Sequence, residues 1–522
     1  MKTENKINFT YLVKTYGLAL FSGLLLIISF PPIDFFYVAW VALVPFFLSL
    51  YDKSSKQAFL TGFICGIPYF FGTLYWIYHS INHYGNLPFV PSILIVVLLC
   101  CFLSLYTGIF AALFIATLRK TKLPALLLAP VFWVVLEFAR SYFLTGFPWS
   151  SIGYSQGKFL TMIQIADITG IYGVSFLVVA VNGAIADIFL IKKRIDDMPL
   201  FPLSHTIIGA GVLCLAILAT IIYGQVRLNQ ERPGRDMTVS IAQGNIEQNM
   251  KWDPQYQNAV MEVYKDLTLK AHSFGPSLIV WPETALPFHF GTDAVYTREL
   301  TDFQKQLDTY LLFGSVLVKE QSDEGYLMSN SAVLLDTDGN AVYTYDKIHL
   351  VPFGEYVPLR NLLFFIDRMV VGIGDYIPGE THMLAPLPHG RFAPLICYEI
   401  IFPGLVRKFF TKGGDFIVNI TNDAWFGRTS GPYQHFSMAV FRAIENRKPV
   451  IRAANTGISG FIDSNGRILS RSNLFEREFL VMKIQTDSTR SFYSKYGDLF
   501  SYLWIVFSII LITNIFGKSK YI

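Results

Sequence analysis

Eight apolar stretches, each about as long as a bilayer is thick, restrict this chain more than any other feature. They lie near 12–30, 34–51, 59–80, 93–118, 123–144, 168–190, 205–225 and 499–516. A helix needs about 18 or more apolar residues to cross a hydrocarbon core. Backbone in lipid must satisfy its own hydrogen bonds, so such stretches are read as helices. Only 15% of the residues are charged, against about a quarter in ordinary soluble domains. Between the last two stretches lies 226–498, a segment of soluble composition long enough to bury its own core. The expected organisation is therefore an N-terminal membrane domain of about seven transmembrane helices (1–225), a polar domain (226–498), and a C-terminal helix with a short tail (499–522). The first stretch reads as a retained span: it is long, runs into Pro31-Pro32 and lacks a small-residue cleavage site.

The loops give the orientation. Lys and Arg gather on the cytoplasmic side of membrane helices. Lys2 and Lys6, then Lys53 and Lys56, then Arg119, Lys120 and Lys122, then Lys192, Lys193 and Arg194, and finally Lys518 and Lys520 occupy alternate connections. The intervening loops 31–33 and 81–92 hold no cation, and 145–167 holds Lys158 alone. Both termini are thus expected in the cytoplasm of a bacterial cell, with 226–498 on the outer face of its cytoplasmic (inner) membrane. The net charge is only +4 and no long basic stretch occurs, which argues against a nucleic-acid partner.

The polar domain alternates strand-like and helix-like segments. MTVSIAQGNI (237–246), PSLIVWPE (276–283), YLLFGSVLV (310–318), RFAPLICYE (391–399) and DFIVNITNDAW (415–425) read as strands. SAVLLDTDGNAVYTYDK (331–347) reads as a hairpin with Asp-Gly in its turn, and 449–469 closes with another. Helical spacing follows Asp253-Pro254 and fills 432–447. This pattern predicts a mixed sheet in two packed layers with helices outside. No internal repeat is visible.

Cys65, Cys100, Cys101 and Cys214 lie in apolar stretches; Cys397 is the one cysteine of the polar domain. The compartment outside the membrane is oxidising, and thiols there tend to be paired. A lone cysteine in that setting is either a reactive thiol or a small core hydrophobe. Three strand-like stretches end on reactive side chains: LIVWPE on Glu283, AVYTYDK on Lys347 and APLIC on Cys397. Sites in open α/β sheets gather at the carboxyl ends of strands. A carboxylate can take the thiol proton, and an ammonium favours the thiolate and a later oxyanion. The three together suit acyl transfer through a thioester. Taken singly, Glu283 reads as a surface carboxylate and Lys347 as an exposed charge after a hairpin. A histidine base also remains open by composition, since the domain contains His272, His289, His349, His382, His389 and His435.

WPETALP (281–287), YDKIHLVPFGEYVP (345–358), ICYEIIFP (396–403) and TNDAWFG (421–427) resemble, in that order, the motifs of the nitrilase (carbon-nitrogen hydrolase) superfamily. With apolar spans on both sides, the arrangement is similar to that of the apolipoprotein N-acyltransferase family. The resemblance implies an αββα sandwich in which Glu283 is the general base, Lys347 the oxyanion stabiliser and Cys397 the nucleophile. It implies support from Glu355, a site shaped by Tyr398 and Glu399, and aromatic borders at Trp252 and Trp425. It further implies a membrane phospholipid as acyl donor and a diacylglyceryl apolipoprotein as acceptor, with neither metal nor cofactor.

Two other readings compete: a membrane-tethered amidohydrolase with water in place of the amine, and a catalytically dead transporter or lipid-binding scaffold. Loss of a triad residue would favour the scaffold, and all three are present. Glu137 and Arg140 share one helical face of the fifth stretch, Arg140 near enough its outer end to snorkel. GFPWSSIGYSQG (146–157) reads either as the lining of a lipid cleft or as an interfacial Trp-Tyr anchor.

Overall fold

The computed structural model describes residues 9–195, 198–230, 234–322, 325–356 and 376–517. The chain divides into two compact units. One holds 1–78, 89–228 and 498–522; the other holds 79–88 and 229–497. Of the cations behind the expected orientation, Lys2, Lys6, Lys518 and Lys520 lie outside the described residues.

The first unit is helical. Ser55–Leu74, Phe89–Thr121, Ile171–Leu190 and Leu203–Asn229 are long and apolar enough to cross a membrane. Phe9–Ile28, Ala125–Arg140 and Leu499–Gly517 account for three more of the expected stretches. The stretch 34–51 departs from expectation. It forms a 3-10 turn, Phe36–Val38, and two short helices, Ala39–Ala42 and Val44–Leu48. Pro45 cannot donate to a continuing helix. At the break, Asn182 of the helix Ile171–Leu190 accepts from the Leu43 N–H (2.8 Å) and donates to the Ala39 carbonyl (2.8 Å). The same helix carries Asp187, whose two oxygens cap the backbone N–H groups of Ala125 and Leu126 at 2.8 and 2.9 Å. Buried polar side chains thus satisfy helix ends that lipid could not.

Glu137 and Arg140 are both buried, so Arg140 does not snorkel. Glu137 Oε1 accepts from Trp133 Nε1 (2.9 Å) and from the Ile152 N–H (2.7 Å). Arg140 donates to the Trp149 carbonyl (2.5 Å) and to Ser151 Oγ (3.2 Å). They hold the 146–157 segment inside the unit. Trp149 and Tyr154 are buried there, with Trp149 packed on Trp76 at 4.7 Å. The segment is core of the helical unit rather than an exposed anchor.

The second unit is two six-stranded sheets. The strands are β1 (Asp236–Gln243), β2 (Leu278–Val280), β3 (Tyr310–Ser322), β4 (Gly325–Leu335), β5 (Ala341–Asp346), β6 (Ala385–Leu387), β7 (Gly390–Ile396), β8 (Phe416–Thr421), β9 (Val450–Ala454), β10 (Gly460–Ile462), β11 (Ile468–Arg471) and β12 (Glu478–Gln485). One sheet has the order β12-β1-β2-β3-β4-β5, the other β6-β7-β8-β9-β10-β11. In each, three central strands are parallel, one antiparallel strand flanks the first and two follow the third. The two halves therefore repeat one topology without a repeat legible in the sequence.

The sheets face each other across polar ties. Ser459 Oγ donates to Gln243 Oε1 (2.5 Å), and Asn455 brackets the Ile246 backbone with bonds of 2.9 and 2.7 Å. Helices α1 (Gln257–His272) and α2 (Ala294–Gln304) cover the outer face of the first sheet, their apolar sides closing on Ile279, Trp281, Phe313 and Val333. Helices α3 (Pro403–Phe410) and α4 (Gly431–Asn446) pack on the second. The result is an αββα sandwich, as expected. The outer loop expected at 81–92 contributes to this unit: Ser80 Oγ donates to the Trp425 carbonyl (2.7 Å), and the Tyr84 ring meets the Trp425 ring at 4.8 Å.

Candidate active site

Strand β7 ends at Ile396, and Cys397 opens a single 3-10 turn, Cys397–Ile401. Cys397 has φ +52°, a left-handed conformation that costs a residue with a Cβ about 1–2 kcal/mol. Hydrogen bonds hold it there. The Cys397 carbonyl accepts from His435 Nε2 (3.2 Å) and Asn419 Nδ2 (3.4 Å). Glu399 Oε2 reaches back to the Ile396 N–H (2.8 Å). A strained turn after a strand is a recurrent way to present a nucleophile.

Glu283 lies in the turn after β2. Gly314 of β3 admits that turn: a Cβ there would stand 2.5 Å from Thr284 N, 2.6 Å from Glu283 Cα and 2.7 Å from the Pro282 carbonyl. Glu283 Oε1 accepts from Asn330 Nδ2 (2.8 Å) and lies 3.5 Å from Lys347 Nζ. Its Oε2 accepts from the Asn422 N–H (2.8 Å), a bond from the opposite sheet. Lys347, directly after β5, is 1% exposed and donates to Glu355 Oε1 (2.8 Å). Glu355 also accepts from Asn330 Nδ2 and, at Oε2, from the Val351 N–H, both at 2.8 Å.

Burial pushes the Cys397 thiol up, and the Glu283 and Asp423 carboxylates add to this, while Lys347 and a hydrogen bond with Thr421 oppose it. Cys397 as a whole is 7% exposed. It therefore rests protonated beside a carboxylate that can take its proton. Lys347 is held above its usual range, burial notwithstanding, by Glu355, Glu283 and Cys397, and stays an ammonium. The arrangement can supply a base, a cation and a nucleophile at one point.

The supporting residues fall into two groups. Glu399 is fully buried and accepts from Tyr345 Oη (2.8 Å) and from the Ile348 and His349 N–H groups (2.8 and 3.1 Å), besides Ile396. It locks the residues after Lys347 to the strand before Cys397. Tyr398 is buried edge-on to Phe402 at 5.1 Å. Trp252 and Trp425 are each 40% exposed. Trp252 packs on His289 (5.3 Å) and follows the buried Lys251, while Trp425 lies two residues beyond the buried Asp423.

The histidine base finds no support. His435 meets the Cys397 carbonyl through Nε2 (3.2 Å), its Nδ1 lies 2.9 Å from Arg452 Nη2 and 3.1 Å from Asp423 Oδ1, and burial and Arg452 push it down. Burial pushes His349 down to about 4, with its ring 3.9 Å from Phe402. His289 and His382 face the rings of Trp252 and Phe409. His272 ends α1, and His389 sits in the β6–β7 turn.

Sequence reasoning missed several residues. Asn330 joins the two carboxylates, and Lys251 donates to the Glu283 carbonyl (3.2 Å). Below Cys397, Arg452 binds Asp423 Oδ2 (2.8 Å) and Asn419 Oδ1, while Thr421 Oγ1 donates to Asp423 Oδ1 (2.9 Å). Arg452 overcomes the burial of Asp423 and holds its carboxyl down at about 2. Thr421 and Asp423 belong to the TNDAWFG motif, which was the available signal; Asn330, Lys251 and Arg452 offered none.

Comparison with known proteins covers both units. Residues 22–184 match the model of the apolipoprotein N-acyltransferase N-terminal domain, and 238–493 that of carbon-nitrogen hydrolases. An apolipoprotein N-acyltransferase of Geobacter metallireducens is 40% identical over 508 residues, which cover 97% of this chain and 96% of the relative. Those of Pasteurella multocida and Haemophilus influenzae are each 32% identical, covering 93% and 96% of this chain and 92% and 95% of their own lengths. A nitrilase-like sandwich with a thiol at a strained strand end, joined to apolar helices that match over nearly the whole length of such relatives, places this chain in the apolipoprotein N-acyltransferase family.

Proposed function

We propose that this chain transfers an acyl group from a membrane phospholipid to the α-amine of a diacylglyceryl-cysteine at the N-terminus of an apolipoprotein. The observation that carries the reading is the gathering of Glu283, Lys347 and Cys397, from three distant strand ends, into one buried site with Lys347 between two carboxylates.

In the first half-reaction Cys397 Sγ attacks the ester carbonyl carbon while its proton passes to Glu283. The carbonyl oxygen becomes an oxyanion facing the Lys347 ammonium. Collapse breaks the ester C–O bond, and Glu283 returns the proton to the departing glycerol oxygen. A lysophospholipid leaves, and a thioester remains on Cys397. In the second, the α-amine attacks the thioester, Glu283 takes a proton from the nitrogen, and the C–S bond breaks. The proton returns to the thiolate, leaving an amide and the resting thiol. The protonated resting thiol favours such general-base activation over a standing thiolate.

The test is intact mass after incubation of the purified chain with phospholipid. The wild type is expected to gain one acyl chain, Cys397→Ala none, and addition of a diacylglyceryl lipopeptide should discharge it. An adduct on Cys397→Ala would remove the nucleophile assignment. Discharge by water as fast as by the lipopeptide amine would replace the transferase with an amidohydrolase-like activity.

A further inference from the structure

Lys347 is not the lone lysine of the site. Lys251 is 1% exposed, and its Nζ donates to the Glu283 carbonyl oxygen at 3.2 Å. Glu283 and Cys397 both act to keep it charged, against its burial. Nothing else in its own segment competes for it: Asp253 caps the Gln255 N–H, and Glu247 acts on the Tyr84 hydroxyl.

The charges around Cys397 show what this cation is for. Glu283 and Glu355 bring two negative charges, and Lys347 brings one positive charge between them. Asp423 is matched by Arg452, His435 is held neutral by burial and Arg452, and Glu399, raised by burial to about 7, is uncharged below that pH and accepts from Tyr345 and three backbone N–H groups. Without Lys251 the thiol would give up its proton inside a site of net charge −1. With it, the two carboxylates and two ammoniums sum to zero.

We propose that Lys251 is the second working cation of the site, a positioning charge that acts through Glu283 and Cys397 and lets thiol deprotonation and oxyanion growth proceed against two ammoniums. This rests on Cys397 being the nucleophile. The proton still moves from Sγ to Glu283; Lys251 exchanges none with substrate. The two lysines differ in one respect that makes the idea testable. Burial brings Lys251 down to about 8, with Glu283 and Cys397 only partly opposing it, whereas Lys347 is held above its usual range. An ammonium is present below its pKa and lost above it. Acylation should therefore fall as pH rises through about 8, a limb that Lys347 cannot produce.

The experiment is single-turnover acylation of the full-length protein in detergent with phosphatidylethanolamine, read by intact mass from pH 5 to 10 with no amine acceptor present. Wild type should lose rate above pH about 8. Lys251→Arg should keep most of the rate and lose that limb, because a guanidinium stays charged. Lys251→Met should acylate about 10–100-fold more slowly at pH 7 and show no limb. A limb that persists in Lys251→Arg, or wild-type rates in Lys251→Met, overturns the proposal. If Lys251→Met fails to fold, the arginine variant alone decides. Acylation of Cys397→Ala would instead overturn the triad reading and leave the pH profile of Lys251 to be read at another nucleophile.

Discussion

Glu399 receives four hydrogen bonds on two oxygens, from Tyr345, Ile348, His349 and Ile396. Its effect is geometric: one side chain fixes the residues after the lysine against the strand before the cysteine. Glu399→Gln keeps the shape but turns an NH2 group toward a backbone N–H, leaving a buried donor unpaired at about 1–3 kcal/mol. The expected outcome is a melting midpoint lowered by about 2–4 °C per kcal/mol, together with a loss of acylation; an unchanged midpoint would refute the clamp. The carboxyl also carries a pH signature. Burial raises it from 4.5 to about 7, against its hydrogen bonds. A carboxyl raised on folding stabilises fully below its unfolded value, and that contribution is lost as pH rises to about 7. Glu399→Gln should flatten this part of the stability profile. Glu399 was legible because it stands two residues from Cys397 in ICYEIIFP. Lys251, Asn330 and Arg452 were not, since their roles come from burial beside partners far away in sequence, which no local pattern encodes.

Strands and hairpins were legible because burial on a sheet face and turn chemistry leave local marks. Asp-Gly closes the β4–β5 hairpin, and the apolar runs of β7 and β8 stop where Cys397 and Asn422 begin. The broken stretch at 34–51 was not legible: apolar residues read alike in a continuous helix and in short buried ones, and the deciding group, Asn182, is a remote cap. The doubled sheet topology escaped for a similar reason, because hydrogen-bond order leaves no residue-level repeat. Gly314 is the element-scale feature with a direct consequence. As a glycine in a strand it looks like a weak point, yet a Cβ would strike the backbone of the turn carrying Glu283. Gly314→Ala must displace that turn, and a shift near 1 Å costs about 100-fold in a positioned reaction. The expected result is acylation reduced on that order with far-UV circular dichroism unchanged and a loss of about 1–3 kcal/mol in stability. Wild-type acylation would mean that Glu283 need not stand where the strand holds it.

At the scale of the whole molecule, the polar unit is flanked in sequence by apolar helices, Leu203–Asn229 before it and Leu499–Gly517 after it. A donor and an acceptor anchored in one leaflet would reach such a unit by lateral diffusion, provided it lies on the side where lipoproteins mature. The outer face is what the alternation of Lys and Arg among the loops leads one to expect, and labelling tests this without any assay of activity. Ser55, in the first turn of the helix Ser55–Leu74, and Asp338, in the β4–β5 turn, are both exposed. Neither substitution removes a Lys or Arg, so the signal that orients the chain is untouched. In intact spheroplasts a membrane-impermeant maleimide should label Asp338→Cys and leave Ser55→Cys unreacted until the membrane is opened. The native chain supplies the background, since Cys65, Cys100 and Cys397 are buried and Cys101 and Cys214 sit within apolar helices. The reverse pattern would place the polar unit in the cytoplasm. Its thiol would then face a reducing compartment, and the lipoprotein acceptor would have to be sought on the inner face.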